Sequence, residues 1–284
     1  MLFLILSIIC SVTVGILFKF SRHYNVNNAQ IVAANYLVAI ILCYLFFNPN
    51  LNEVNTSSPW HIYIALGILL PSVFLFLAIS IKHMGIVKTD AAQRLSLFIP
   101  ILAAWLIFKE DFNVFKVTAL VVGFPALVLI LSKPSQNTKN KWIYPTVVLL
   151  GFGIIDILFK QIALFTTLPY ITSLFIVFSV ALVIMFAVVS YEVLANKVQL
   201  ALKNIIFGGL VGIFNFGNIL FYLKAHQVFA KNPSTVFAGM NMGVIIIGSL
   251  VGILVFKEKL TKINYAGLFM ALVAIVLIVF SQTK

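Results

Sequence analysis

Four ionisable side chains stand inside or at the edge of long apolar runs, where their chemistry has few competitors. Asp156 and Lys160 lie four residues apart in Asp156-Ile157-Leu158-Phe159-Lys160, and Asp90 and Arg94 repeat that spacing in Asp90-Ala91-Ala92-Gln93-Arg94. On a helix, residues four apart share a face, so each pair can neutralise its own charge. The same groups suit a second task. An arginine keeps its proton and grips a carboxylate or phosphate through two parallel N–H donors, a lysine draws an anion as a point charge, and a carboxyl group can carry a proton. For Asp156 and Lys160, self-neutralisation and a lining role in a cavity both stand. Arg94 either snorkels to an interface or binds an anionic group, and Asp90, near a helix start, reads as a cap.

Polar amides widen the set: Asn35, Gln93, Asn215, Asn218 and Asn241 all interrupt apolar sequence. Their ordinary role is to hydrogen-bond between helices. The candidate substrate-binding residues are therefore Arg94, Gln93, Asn241, Lys160, Asn215, Asn218 and Asn35, with Asp156 as the candidate proton-coupling residue. Lys19, near a helix end, reads as a snorkelling side chain.

Other chemistries fit poorly. Cys10 and Cys43 fall in apolar spans and read as small packing residues, so neither a disulfide nor a metal site is expected. His23, His61, His83 and His226 sit near helix ends, away from any buried serine, and only Asp156 is deep enough for an intramembrane acid, so an enzyme is not expected. There is no Gly-x-x-x-x-Gly-Lys-Ser/Thr phosphate loop, and no cofactor is expected.

The elements that must position these residues follow from composition. Of 284 residues, 62% are apolar and 9% charged, and the mean hydropathy is +1.13. No water-soluble fold of this size can hide so much hydrocarbon, so the surrounding solvent is lipid. The formal charge of +12 sits at helix ends and loops, which suits a membrane surface better than nucleic acid. No basic residue precedes Lys19, so the first apolar segment is expected to be retained rather than cleaved as a signal peptide.

Apolar runs and turn signals predict ten helices near 2–20, 30–47, 60–81, 89–108, 113–131, 143–165, 170–190, 203–223, 233–256 and 263–281. Two phrases recur across them. Ile16-Leu17-Phe18-Lys19 returns as Ile157-Leu158-Phe159-Lys160, on helices 1 and 6. Phe108-Lys109-Glu110 returns as Phe256-Lys257-Glu258, at the ends of helices 4 and 9. Without a gap, Phe98 to Leu131 overlies Ile246 to Val279, and the same shift sets Gln93 over Asn241 and Pro100 over Gly248. The fold class expected is an all-α integral membrane protein, ten transmembrane helices arranged as two five-helix repeats: residues 1–132, a connecting loop at 133–142, and residues 143–284. Five being odd, the second repeat enters from the opposite face, which makes the repeats inverted, an architecture of secondary transporters. Glycines in Gly208-Gly209-Leu210-Val211-Gly212 and Gly239-Met240-Asn241-Met242-Gly243 favour internal packing of helices 8 and 9, with a homodimer through these faces as the alternative.

The end of each fourth helix, Leu102 to Glu110 leading into Phe112-Asn113 and Leu250 to Glu258 leading into Leu260-Thr261, is similar to the EamA-type halves of the drug/metabolite transporter superfamily. Gly267 fits the family's glycine in the fifth helix, whereas Ala119 departs from it. Phe152-Gly153 resembles the family's aromatic-Gly step, and Ser11-Val12 does not. The resemblance implies a secondary transporter in the inner membrane of a bacterium, with the lipid bilayer and a small-molecule substrate as its partners. It implies alternating access and export rather than uptake. With Arg94 and Lys160 as deep cations, an amino acid or other carboxylate is the first expectation. Efflux of lipophilic cations is the alternative, and a lipid-handling or structural role the alternative of another class. Lys and Arg gather on the face of Lys19, Arg22, Lys257, Lys259 and Lys262, opposite the termini, so the positive-inside rule puts the termini outside. The resemblance implies cytoplasmic termini, and the two expectations stand opposed.

Overall fold

The computed structural model describes the chain apart from residues 1, 25, 57, 97, 100–101, 104–112, 132–140, 166–167, 229–232 and 283–284, and at Lys160 and some other helical positions it describes the backbone alone. Among the described residues the chain forms ten α-helices and no strand. These are α1 (Leu2–Ser21), α2 (Asn28–Phe47), α3 (Trp60–Met84), α4 (Ile86–Leu95), α5 (Val114–Leu131), α6 (Ile143–Phe165), α7 (Tyr170–Leu194), α8 (Leu202–Val228), α9 (Pro233–Leu254) and α10 (Lys262–Gln282). Helices dominate because each satisfies its backbone N–H and C=O groups internally, which lipid cannot do for them. Five of them are long and apolar enough to cross a membrane over their described residues: α1, α2, α3, α7 and α8. Leu45, Phe46, Val128, Val183, Phe186 and Phe269 are all more than 60% exposed. An apolar exterior of this extent matches hydrocarbon, not water.

Polar loop residues set the helix ends. The side chain of Asn27 accepts a hydrogen bond from the Gln30 N–H at 2.9 Å and caps α2. Asn48 takes the left-handed conformation at φ 43° and ends the same helix through its N–H on the Tyr44 carbonyl, just before Pro49.

Packing recurs in pairs. α2 meets α8 as α7 meets α3, α1 meets α8 as α6 meets α3, α1 meets α9 as α6 meets α4, and α4 meets α5 as α9 meets α10. Each partner arrangement is the first with every helix number moved by five. α2 with α7, α4 with α9 and α5 with α10 map onto themselves. A two-fold relation between two five-helix units requires this pattern. The glycine stripe of α8 serves an internal contact: a Cβ at Gly208 would sit 2.5 Å from the Ile31 carbonyl oxygen, and one at Gly212 would sit 2.9 Å from that of Asn35, both on α2. Gly209, by contrast, has open space beside it.

The fourth helix departs from its expected form. Helix was expected over 89–108; α4 runs from Ile86 to Leu95, a turn follows at Ser96, and beyond it the described residues 98–99 and 102–103 are helical again, the rest of the expected span lying outside the described residues. A proline at position 100 has no N–H to offer the Ser96 carbonyl. That carbonyl accepts instead from the Ile99 N–H at 2.9 Å, a tighter i+3 turn, and the Ser96 hydroxyl closes on the Gln93 carbonyl at 2.6 Å. In α9 the aligned residue is Gly248, whose N–H is present, and the helix continues to Leu254. The earlier start also moves Asp90 from a capping position into the helix body, where it is 7% exposed.

Candidate functional site

The turn at Ser96 follows α4 in the protein interior, and Gln93 and Arg94 occupy the last turn of that helix. A helix carboxyl end carries partial negative charge, which favours a cation there. Arg94 Nη2 donates to Ser11 Oγ of α1 at 2.7 Å, while its Nε is buried with no hydrogen-bond partner among the described residues.

Gln93 and Arg94 open onto a cavity of about 450 Å³. Phe152 and Asp156 of α6 lie one turn apart on its wall, Asn218 and Tyr222 of α8 and Asn241 of α9 face them, and Tyr170 stands at the start of α7. Asp156 is deep in the protein yet exposed to this space. The charge of Arg94 acts on both Asp156 and Asp90, and the Tyr170 and Tyr222 phenols stand within the field of Asp156. One cavity therefore holds a guanidinium and a carboxylate, amides that donate and accept, and aromatic walls. Such a site can hold a small amphipathic molecule at both a charged and an apolar end.

Five of the eight sequence candidates line this cavity: Gln93, Arg94, Asp156, Asn218 and Asn241. Asn215 lines a smaller chamber beside it. Asn35 does not reach the cavity. It is fully buried between α2 and α8, where its Oδ1 accepts from Asn215 Nδ2 at 3.2 Å, the interhelical role such amides ordinarily fill. The Lys160 side chain lies outside the described residues; among those described, the cation acting on Asp156 is Arg94. Sequence reasoning missed Tyr170 and Tyr222, which come from opposite ends of their helices and carry no local motif. A larger hollow of about 490 Å³ near Trp60 and Phe175 is almost wholly apolar, and its Ser179 hydroxyl is spent on the Phe175 carbonyl at 2.8 Å. It offers no chemistry.

Lys19 does not snorkel as expected. Its Nζ lies 3.1 Å from Glu258 Oε1, on the loop after α9, and the same carboxylate accepts the Ile86 N–H at 2.7 Å and the Val87 N–H at 3.2 Å. Glu258 is thus the cap of α4, supplied from the far half of the chain. Gly85 just before α4 has φ +89° and lies so close that a Cβ there would sit 2.5 Å from Glu258 Oε2. The positive φ is what requires glycine there.

Comparisons with known proteins bear on this architecture. The profile of the EamA-like transporter family matches residues 1–132. An uncharacterized protein of Haemophilus influenzae is 43% identical, over 96% of this chain and 95% of its own length. A solved crystal structure shares the fold at a TM-score of 0.59 and 12% identity, covering 98% of this chain and 95% of its own. The ten-helix architecture, the lipid-facing exterior and the family match agree: the chain belongs to the EamA-like transporter family of the drug/metabolite transporter superfamily, and is a multi-pass membrane transporter.

Proposed function

We propose that the protein is a secondary transporter that exports a small metabolite bearing a carboxylate, an amino acid in the first instance, across the inner membrane of a bacterium. The observation that carries this reading is the meeting of Arg94 and Asp156 on one cavity of about 450 Å³. Arg94 binds the carboxylate. Asp156 carries a proton or faces the substrate's ammonium group, Gln93, Asn218 and Asn241 bond the polar remainder, and Phe152, Tyr170 and Tyr222 cover the side chain.

Movement is by alternating access of two halves, residues 1–132 and 143–284, about a two-fold axis in the membrane plane. The paired helix packings support those halves, and so does the end of the family match at residue 132. The Lys19–Glu258 contact joins the halves near the ends of α1 and α9 and supports closure on that face. A proton or ion gradient, or substrate exchange, supplies the energy, as the sequence carries no phosphate-binding loop.

Purified protein in proteoliposomes tests the reading, with counterflow of labelled amino acids and other small carboxylates. Saturable flux of at least one, lost on Arg94→Ala, is expected. Flux of lipophilic cations with none of carboxylates would replace this substrate class by cation efflux, with Asp156 as the binding acid. No flux of any soluble compound would remove the reading.

A further inference from the structure

Beside the substrate cavity, towards the Lys19 face, α1, α3, α4 and α8 enclose a chamber of about 40 Å³. Its polar wall is made by Ser11, Asp90, Gln93, Asn215 and Asn218. Asp90 is 7% exposed, and no hydrogen bond reaches its carboxylate from any described residue; Oδ2 is wholly buried without a partner. A Cβ on Gly248 would lie 2.5 Å from Oδ2 and one on Gly15 3.9 Å from Oδ1, so α9 and α1 close on the carboxylate with glycines and offer it no side-chain donor.

Two of the donors nearby are committed. Arg94 Nη2 is bonded to Ser11 Oγ, and Asn215 Nδ2 to Asn35 Oδ1. The acceptors are not: the Asp90 carboxylate and the Asn215 and Gln93 amide oxygens have no described donor, and Asn218 Oδ1 and Ser11 Oγ each take one bond, at 2.7 Å from Ser7 and Arg94 respectively, and keep a second lone pair. A small space that gathers a buried carboxylate, amide oxygens and a hydroxyl can hold a small hard cation, which takes such oxygens as ligands. Its volume admits about three water-sized bodies, at about 10–15 Å³ for each probe-sized body, and no organic metabolite.

We infer that this chamber is a binding site for a monovalent alkali cation, Na⁺ in the first place, with the Asp90 carboxylate as its charged ligand. The site is joined to the substrate cavity, because Gln93 and Asn218 line both. The charged groups acting on Asp90 are Arg94, one turn along the same helix, and Glu258 from the loop after α9. Arg94 opposes a cation while its own charge is unmatched. A substrate carboxylate on Arg94 compensates that charge, so substrate and cation favour each other's binding; this coupling, unlike the cation site itself, rests on the carboxylate reading proposed above.

Thermal unfolding of the purified protein without substrate tests the site, in NaCl, KCl or choline chloride at one ionic strength and across a pH series. Expected is a saturable upward shift in Tm with Na⁺ over choline, lost in Asp90→Asn, weakened in Asn215→Ala and kept in Asp156→Asn. Absence of any Na⁺-specific shift in the wild type, or its persistence in Asp90→Asn, overturns the inference. A stabilisation that follows pH alone and is lost in Asp90→Asn also overturns it, and makes Asp90 a proton carrier instead. As no substrate is present, a negative result leaves the carboxylate-transport reading standing, and a failure of carboxylate flux leaves a Na⁺ shift unaffected.

Discussion

Lys19 and Glu258 are separated by 239 residues in the chain and by 3.1 Å in space. Each belongs to one of the two repeated phrases, Ile-Leu-Phe-Lys and Phe-Lys-Glu, so one copy of each phrase meets at a single point. The lysine also stands 5.9 Å from the centre of the Phe256 ring, in the same phrase as its partner. Glu258 does two jobs there: it neutralises Lys19 and it accepts two N–H groups at the start of α4. The second job explains why the residue is an acid.

Glu258→Ala should therefore lower stability by about 1–3 kcal/mol, through the lost cap and the lost charge-assisted bonds. Lys19→Met should cost less, since it leaves the cap in place. Exchanging the charges, Lys19→Glu with Glu258→Lys, should fail to restore stability, because a lysine cannot accept the Ile86 and Val87 N–H groups. Thermal unfolding in detergent of the three proteins decides it, and full recovery in the exchange variant would show that only the ion pair matters.

Arg94→Lys should harm transport more than folding. The lysine keeps the charge but loses the planar pair of donors, and with it one charge-assisted bond to a carboxylate, a loss of about tenfold to hundredfold in apparent affinity. Tm should move by only a few degrees, since the bond to Ser11 Oγ is one that an ammonium can also make. Flux titrated against substrate concentration measures the first and thermal unfolding the second; unchanged flux would make Arg94 a structural residue.

Two neighbouring glycines on α8 separate close packing from helix propensity. Gly208→Ala puts a methyl group 2.5 Å from both the Ala34 Cβ and the Ile31 carbonyl oxygen, and backbone cannot easily give way, so it should destabilise the α2 and α8 contact. Gly209→Ala meets nothing within 4 Å and should be neutral or stabilising by up to about 1 kcal/mol. Equal effects of the two would mean that α8 does not pack on α2 through this stripe.

The sequence was informative wherever one helix carries its own signal. Apolar length marked the spans, and Arg94, Gln93, Asp156 and Asn241 stood out because polar groups are costly in lipid. The repeat was legible for the same reason, since Lys19 and Glu258 punctuate otherwise apolar phrases. What required the fold was convergence. Tyr170 and Tyr222 look like ordinary interfacial tyrosines until α7 and α8 bring them to one cavity. Glu258 caps a helix that begins 172 residues earlier, which no local capping pattern can reveal. Asp90 was read as a cap because its helix was started too late; a glycine in the left-handed region at Gly85 and an acid from another helix start it instead. Asn35 shows another side of the same limit: its sequence does not tell that it lies between α2 and α8, away from the cavity, with its Oδ1 on Asn215 and its Nδ2 without a described partner.

Asp156 carries the last expectation. It is exposed to the cavity, and Arg94 is the cation whose charge acts on it among the described residues. A substrate carboxylate that engages Arg94 withdraws that compensation from Asp156. The carboxyl group then holds a proton more readily, so substrate and proton bind together and leave together. Asp156→Asn fixes the neutral form. It should leave binding and substrate exchange measurable, because the amide stands where the protonated acid would, and it should abolish accumulation driven by a proton gradient. A purely structural aspartate predicts otherwise: with its carboxylate gone, Arg94 loses a compensating charge, yield falls, and the protein that does fold behaves normally. The comparison is gradient-driven flux against exchange in proteoliposomes of wild type and Asp156→Asn, each normalised to folded protein. Loss of the first with retention of the second assigns the proton to Asp156; if both activities are retained, or fall together, the proton travels elsewhere.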